Sequence, residues 1–315
     1  MPDMTEDESR AEGPRSAGSR RGFIKTGGAV AMGVGAYVLA ACQSSNSSPG
    51  TVAGAAGGES VLDRWVRTKT ARLGVDLTFP PIQFKDSNGK PSGYQMDLTT
   101  RMMSDLGVTP EYVEIPFGQL FAALVAGKFD MMGISATILP SRALKGFFAT
   151  FPCFYESIVV LLKPGSTVTG ASQLASVNIS VLQGSSQEFS GKILYPKATF
   201  QTFAGITDAI NAVATGRSDA VILSEFDVGE AFKAHPDLKI LPGPPLFVDA
   251  NTYFMPTGDV KLQAWVSNWL RYNATHNTLS GLWQKWVGTA IAPFHLTTSG
   301  VGPGGEAVPL AAAGG

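Results

Sequence analysis

From Val61 to about His295 the apolar and polar positions fall into two alternating rhythms. Short apolar runs bounded by glycine or charged groups alternate with stretches in which apolar residues return every third or fourth position. That alternation predicts an α/β fold. Arg72-Leu73-Gly74-Val75 and Tyr112-Val113-Glu114-Ile115 read as strands. Leu98, Met102 and Leu106 stand at helical spacing, so Tyr94 to Leu106 reads as an amphipathic helix ended near Gly107. Gln119 to Ala126 reads as a second helix, stopped by Gly127. Val260 to Thr275 and Leu279 to Val287 read as two late helices, whose Trp265, Trp269, Trp283 and Trp286 are assigned to packing.

One pattern occurs twice. Ala122 to Asp130 leads into Met131-Met132-Gly133-Ile134, and Ala209 to Asp219 leads into Ala220-Val221-Ile222-Leu223. Each is a helix, a glycine stop, a basic residue, an aspartate and a buried strand. The glycine supplies the left-handed residue that ends a helix at low cost. The spacing is too long for a solenoid and predicts two similar α/β lobes.

The first 60 residues read as an address rather than as fold. Ser19-Arg20-Arg21-Gly22-Phe23-Ile24-Lys25 matches the twin-arginine export signal, and a weakly apolar, glycine-rich stretch follows. Leu39-Ala40-Ala41-Cys42 resembles a bacterial lipobox, which makes Cys42 the expected lipidated residue and 1–42 the signal. Residues 43–60 are rich in Ser, Gly and Ala and read as a flexible tether. Residues 296–315 have similar composition and read as a disordered tail. Their literal GxGxxG, Gly300 to Gly305, lacks a preceding strand and carries Pro303, so it is rejected as a nucleotide loop.

Composition narrows the function. The chain of 315 residues is 44% hydrophobic and 16% charged, with a formal net charge of -1. It can bury a sizeable core, and no basic field points to nucleic acid. With Cys42 lipidated, Cys153 is left as a small buried thiol and no intrachain disulfide is expected. His235, His276 and His295 are scattered, and there is no GxSxG or CxxC. No metal, cofactor or catalytic residue is expected.

Several motifs, in order, resemble the bacterial extracellular solute-binding proteins, family 3. They are Gly74 to Phe84 with Gly93 to Leu98, Gly127 to Asp130 with Thr137 to Arg142, Phe151 to Glu156, Val181 to Ser186, and Trp283 to Gly288. The resemblance implies a two-lobed periplasmic-binding-protein fold, its lobes joined by two crossing strands with the ligand cleft between them. Lobe I would be 61–161 plus 249–295 and lobe II 162–248, hinged near Val159–Lys163 and Phe247–Thr252. It also implies a monomer outside the membrane that captures a small carboxylate-bearing solute, an amino acid or related organic acid, and serves an ABC permease.

The resemblance nominates site residues. Arg142 would grip the ligand carboxylate, since a guanidinium fork matches it with two parallel bonds. Ser135 and Thr137 would touch the ligand, and Ser185 and Ser186 would offer donors at a helix start. Phe79 and Phe117 would wall the cleft. Family members that bind amino acids carry an aspartate after the strand that ends at Leu223. Here Ser224 stands in its place, which leaves two readings: Glu225 or Asp76 meets a ligand ammonium, or the ligand is an organic acid without an α-amino group. Two alternatives are an enzyme on the same fold, similar to cyclohexadienyl dehydratase with Glu225 or Asp76 as acid or base, and a ligand-sensing module.

Overall fold

A computed structural model describes residues 58–289. The expected signal, Cys42, most of the tether and the tail lie outside these residues. The fold begins one residue before the expected start: Ser60 caps α1 (Val61–Thr68) by accepting from the Leu62 N–H.

The first lobe starts with β1 (Thr70–Val75). Three short strands, β2 (Thr78–Phe79), β3 (Gln83–Lys85) and β4 (Pro91–Ser92), make a small antiparallel sheet. Then come α2 (Tyr94–Leu106), β5 (Thr109–Glu114), α3 (Phe117–Val125) and β6 (Met131–Met132). β7 (Ser135–Thr137), α4 (Pro140–Ala143) and β8 (Phe147–Phe148) lead into the long β9 (Phe154–Leu162). The second lobe holds β10 (Asn178–Leu182), α5 (Ser186–Leu194), β11 (Thr199–Phe203), α6 (Ile206–Ala214), β12 (Ala220–Ser224), α7 (Glu225–Ala234) and β13 (Lys239–Ile240). The long β14 (Phe247–Met255) returns to the first lobe, which α8 (Val260–Thr275) and α9 (Thr278–Val287) complete.

The predicted elements match these closely, except that α3 starts at Phe117 rather than Gln119 and β6 is shorter than the expected run to Ile134. The four tryptophans belong to the core of the first lobe. Trp269 and Trp283 are buried, Trp265 and Trp286 pack against them, and the Trp269 and Trp286 ring N–H groups are satisfied by Asp105 and Asp97.

The repeated sequence pattern is a repeated structure. The parallel strands run β5-β1-β6 in one lobe and β11-β10-β12 in the other, so in each the first strand of the unit lies central. Gly127 and Gly216 end the helices at φ +69° and +75°. The aspartates that follow do the same job. Asp130 donates its N–H to the Arg72 carbonyl and accepts the Arg72 N–H, and Asp219 does the same with Asn178. Each aspartate thus clamps the central strand of its lobe at one point.

β9 and β14 cross between the lobes. They pair antiparallel, with Phe247 opposite Ile158 and Asn251 opposite Phe154. Phe154, Tyr253 and Met255 belong to the first lobe's core, whereas Ile158, Val160 and Leu162 belong to the second's, with Phe247 packed on it. Each crossing strand is therefore anchored by apolar burial at both ends, about 1.5–3 kcal/mol for each large side chain.

A ligand cleft between the lobes

Carboxyl ends of parallel strands, where helices begin, are the usual place for a site in an α/β fold. Here both lobes turn those ends toward each other. A cavity of about 80 Å³ lies between them. A water needs roughly 10–15 Å³ by this measure, so the space suits a small solute.

Of the ten expected ligand contacts, eight line this cavity. From the first lobe come Asp76, Phe79, Phe117, Ser135 and Thr137; from the second come Ser185, Ser186 and Ser224. Phe79 meets Phe226 of α7 edge-on at 6.0 Å, which closes an apolar wall across the cleft. Asp76 is spent on local order. It accepts from the Thr78 N–H at 3.0 Å, the Thr78 hydroxyl at 2.5 Å and the Phe117 N–H at 2.7 Å, which caps the start of α3.

Ser185 and Ser186 sit where expected, at the N-terminus of α5. Ser185 is its N-cap, accepting from the Glu188 N–H, while Glu188 reaches back to the Gly184 N–H at 2.7 Å. The first N–H groups of a helix have no partner within it and carry partial positive charge. With Ser186 and Gln187 on the cavity wall, this helix start suits an anion.

Two expected contacts lie elsewhere. Glu225 is exposed and accepts from the Ser157 N–H at 2.7 Å, because the first residue of α7 points away from the cavity. Arg142 is buried, at 6% exposure, but does not line the cavity. Its guanidinium donates to the Thr137 carbonyl at 2.9 Å and to the Gly184 carbonyl at 2.8 Å, one in each lobe, and lies 4.5 Å from the Phe121 ring centre. Burial lowers its pKa to about 10, against the pull of Asp249 and Glu156.

Three further carboxylates, not expected from the sequence, lie at the cavity. Glu156 and Asp227 line the cavity, and Asp249 stands behind it. Glu156 on β9 accepts from Ser224 Oγ at 2.6 Å and Asn251 Nδ2 at 3.0 Å. Asp249 lies directly opposite it on β14 and accepts from the Thr137 and Ser186 hydroxyls. Burial pushes the Glu156 pKa up to about 7, with Asp249 and Glu225 adding to the rise. Burial pushes Asp227 up to about 8, with Glu156 adding. Asp249 is raised by burial, which outweighs its hydroxyl partners and Arg142. The signal for Glu156 was present in the sequence. It shares the buried face of β9 with Phe154, Ile158 and Val160 at the strand period of two.

Cys153 is buried with its thiol pushed up to about 11 by burial, as befits a core residue. Among the described residues no cluster of His, Cys, Asp and Glu has the arrangement of a metal site.

Comparison with known proteins agrees with the two-lobed fold. A "Probable amino-acid ABC transporter-binding protein" of Haemophilus influenzae is 26% identical over 183 residues, 56% of this chain and 68% of that one. The histidine-binding periplasmic protein of Escherichia coli is 27% identical over 192 residues, 59% of this chain and 73% of that one. Among solved structures, an ancestral amino acid-binding protein described as a precursor of cyclohexadienyl dehydratase superposes with a TM-score of 0.65 at 28% identity, covering 72% of this chain and 99% of that one. An ancestral arginine-binding protein bound to arginine gives 0.63 at 25%, covering 69% and 98%. The profile of the bacterial extracellular solute-binding proteins, family 3, matches residues 71–289, and this chain belongs to that family.

Proposed function

We propose that this protein is an exported, lipid-anchored substrate-binding protein of an ABC importer and that its cavity captures an amino acid. The observation that carries this reading is a cavity between the lobes with opposite charge preferences at its two sides. The α5 N-terminus, with Arg142 beside it at Gly184, suits a carboxylate. Glu156 and Asp227 suit an ammonium. Arg142 stands outside the cavity wall and ties the Thr137 and Gly184 carbonyls, one from each lobe, beside this helix start. Binding proteins among the relatives support transport of an amino acid.

A thermal-shift screen of the amino acids tests it. Ligand at 100 times its Kd adds about 2.7 kcal/mol of stability, so at least one amino acid should raise the melting temperature by several degrees. No shift with any of them would refute the reading. The anchor is tested separately. Cys42→Ser should move the protein from the membrane pellet to the soluble fraction.

A second reading, an enzyme on the same fold, draws on one observation. Glu156, with a pKa near neutrality and its carboxyl on the cavity, meets the first requirement of a general acid. Conversion of bound ligand during the same screen would favour it over capture.

A further inference from the structure

The charged side chains on the cavity wall are Asp76, Glu156 and Asp227, all acidic. Asp76 is occupied by the turn it caps. Glu156 and Asp227 are not. Each Glu156 oxygen takes a single hydrogen bond, from Ser224 or Asn251, and a carboxylate oxygen accepts two. Asp227 is 8% exposed, is held by the Ser224 backbone, and faces the cavity. Asp249 opposes Glu156 across the strand pair, and like charges directly opposite repel. The nearest cation, Arg142, is fastened to two backbone carbonyls and directed toward α5.

We propose that Glu156 and Asp227 together form the cation-holding end of the cavity, in place of an aspartate at position 224, and that the preferred cargo is a basic amino acid rather than a neutral or acidic one. This rests on the amino-acid reading above. A zwitterion brings one positive group, which pairs with one of the two carboxylates and leaves the other protonated. A cargo with a second positive group lets both ionise, because two opposite charges then offset two buried ones. Capture is therefore linked to proton release. The charged groups around the pair are Asp249 from β14, Asp76 from the end of β1, Arg142 from α4 and, on the outer side of α7, Glu225, which acts on Glu156 without entering the cavity. Of these, only Arg142 favours the ionised pair.

Calorimetry on the purified full-length protein tests this with arginine, lysine, glutamine, glutamate and putrescine, at pH 6.5 in buffers of different ionisation enthalpy. Arginine or lysine should bind at least about ten-fold tighter than glutamine, a difference of about 1.4 kcal/mol, and should release protons on binding. Asp227→Asn should collapse the ratio of basic to neutral affinity, and Glu156→Gln should do the same if the first variant folds poorly. Glutamine or glutamate binding as tightly as arginine without proton release would overturn the cation end and leave amino-acid capture standing. Putrescine binding with no amino acid binding would overturn amino-acid capture and leave the cation end. No heat with any of the five would overturn both.

Discussion

At Arg142 one guanidinium reaches a carbonyl in each lobe, Thr137 on one side and Gly184 on the other. Lysine cannot reproduce this, since its ammonium lacks a planar fork. Arg142→Ala should weaken ligand binding by about 2–5 kcal/mol, because two carbonyls, one in each lobe, lose the charged donor that ties them together beside the cavity. Calorimetry should show a Kd raised roughly thirty-fold to a few thousand-fold; an unchanged Kd would remove Arg142 from the site. Phe79 and the Ser185–Ser186 pair were nominated by the family resemblance, and the structure places them on the cavity wall. Glu156, Asp227 and Asp249 were not nominated, because an acid in a strand or a helix's first turn has an ordinary solvated reading. Asp227 stands in the first turn of α7, where an acidic residue complements the helix dipole whether or not it is buried. Its burial beside Glu156 of β9 is a tertiary contact, which local sequence does not encode.

Elements were more legible than residues. Helix periodicity, glycine stops and the repeated aspartate located α2, α3, α6, α8 and α9 to within a few residues. What the pattern could not convey is how closely the lobes meet. A Cβ on Gly118, near the start of α3, would lie 2.9 Å from the Gln183 carbonyl oxygen of the other lobe. Gly118→Ala should therefore hold the lips of the cleft apart. Alanine is the better helix former by about 1 kcal/mol, so the ligand-free protein should melt no lower than wild type. Ligand affinity should fall at least about ten-fold. A lowered melting temperature with unchanged affinity would show that the close approach is not part of closure.

For the molecule as a whole, the buried carboxylates set a pH signature. Their folded pKa values, about 7 for Glu156 and about 8 for Asp227, lie above the usual carboxylate values near 4. The folded state therefore holds more protons than the unfolded state between those limits, and stability falls as pH rises. The contribution is fully present below about pH 4 and is lost as pH passes through 7 to 8. The free protein should resist urea better at pH 5 than at pH 8. Saturating cationic ligand should flatten that difference, because it favours the ionised forms. Equal stability at both pH values would mean that the pair is solvated and ionised throughout.

The two crossing strands give this signature a mechanical side. Each is rooted in both cores and zipped to the other over Phe154–Ile158 and Phe247–Asn251, so the joint has little slack. Any movement of one lobe against the other would have to bend or twist this ribbon. Glu156 and Asp249 sit on the ribbon itself, facing across it. A cation held by Glu156, as proposed above, would sit against the strand pair that joins the lobes.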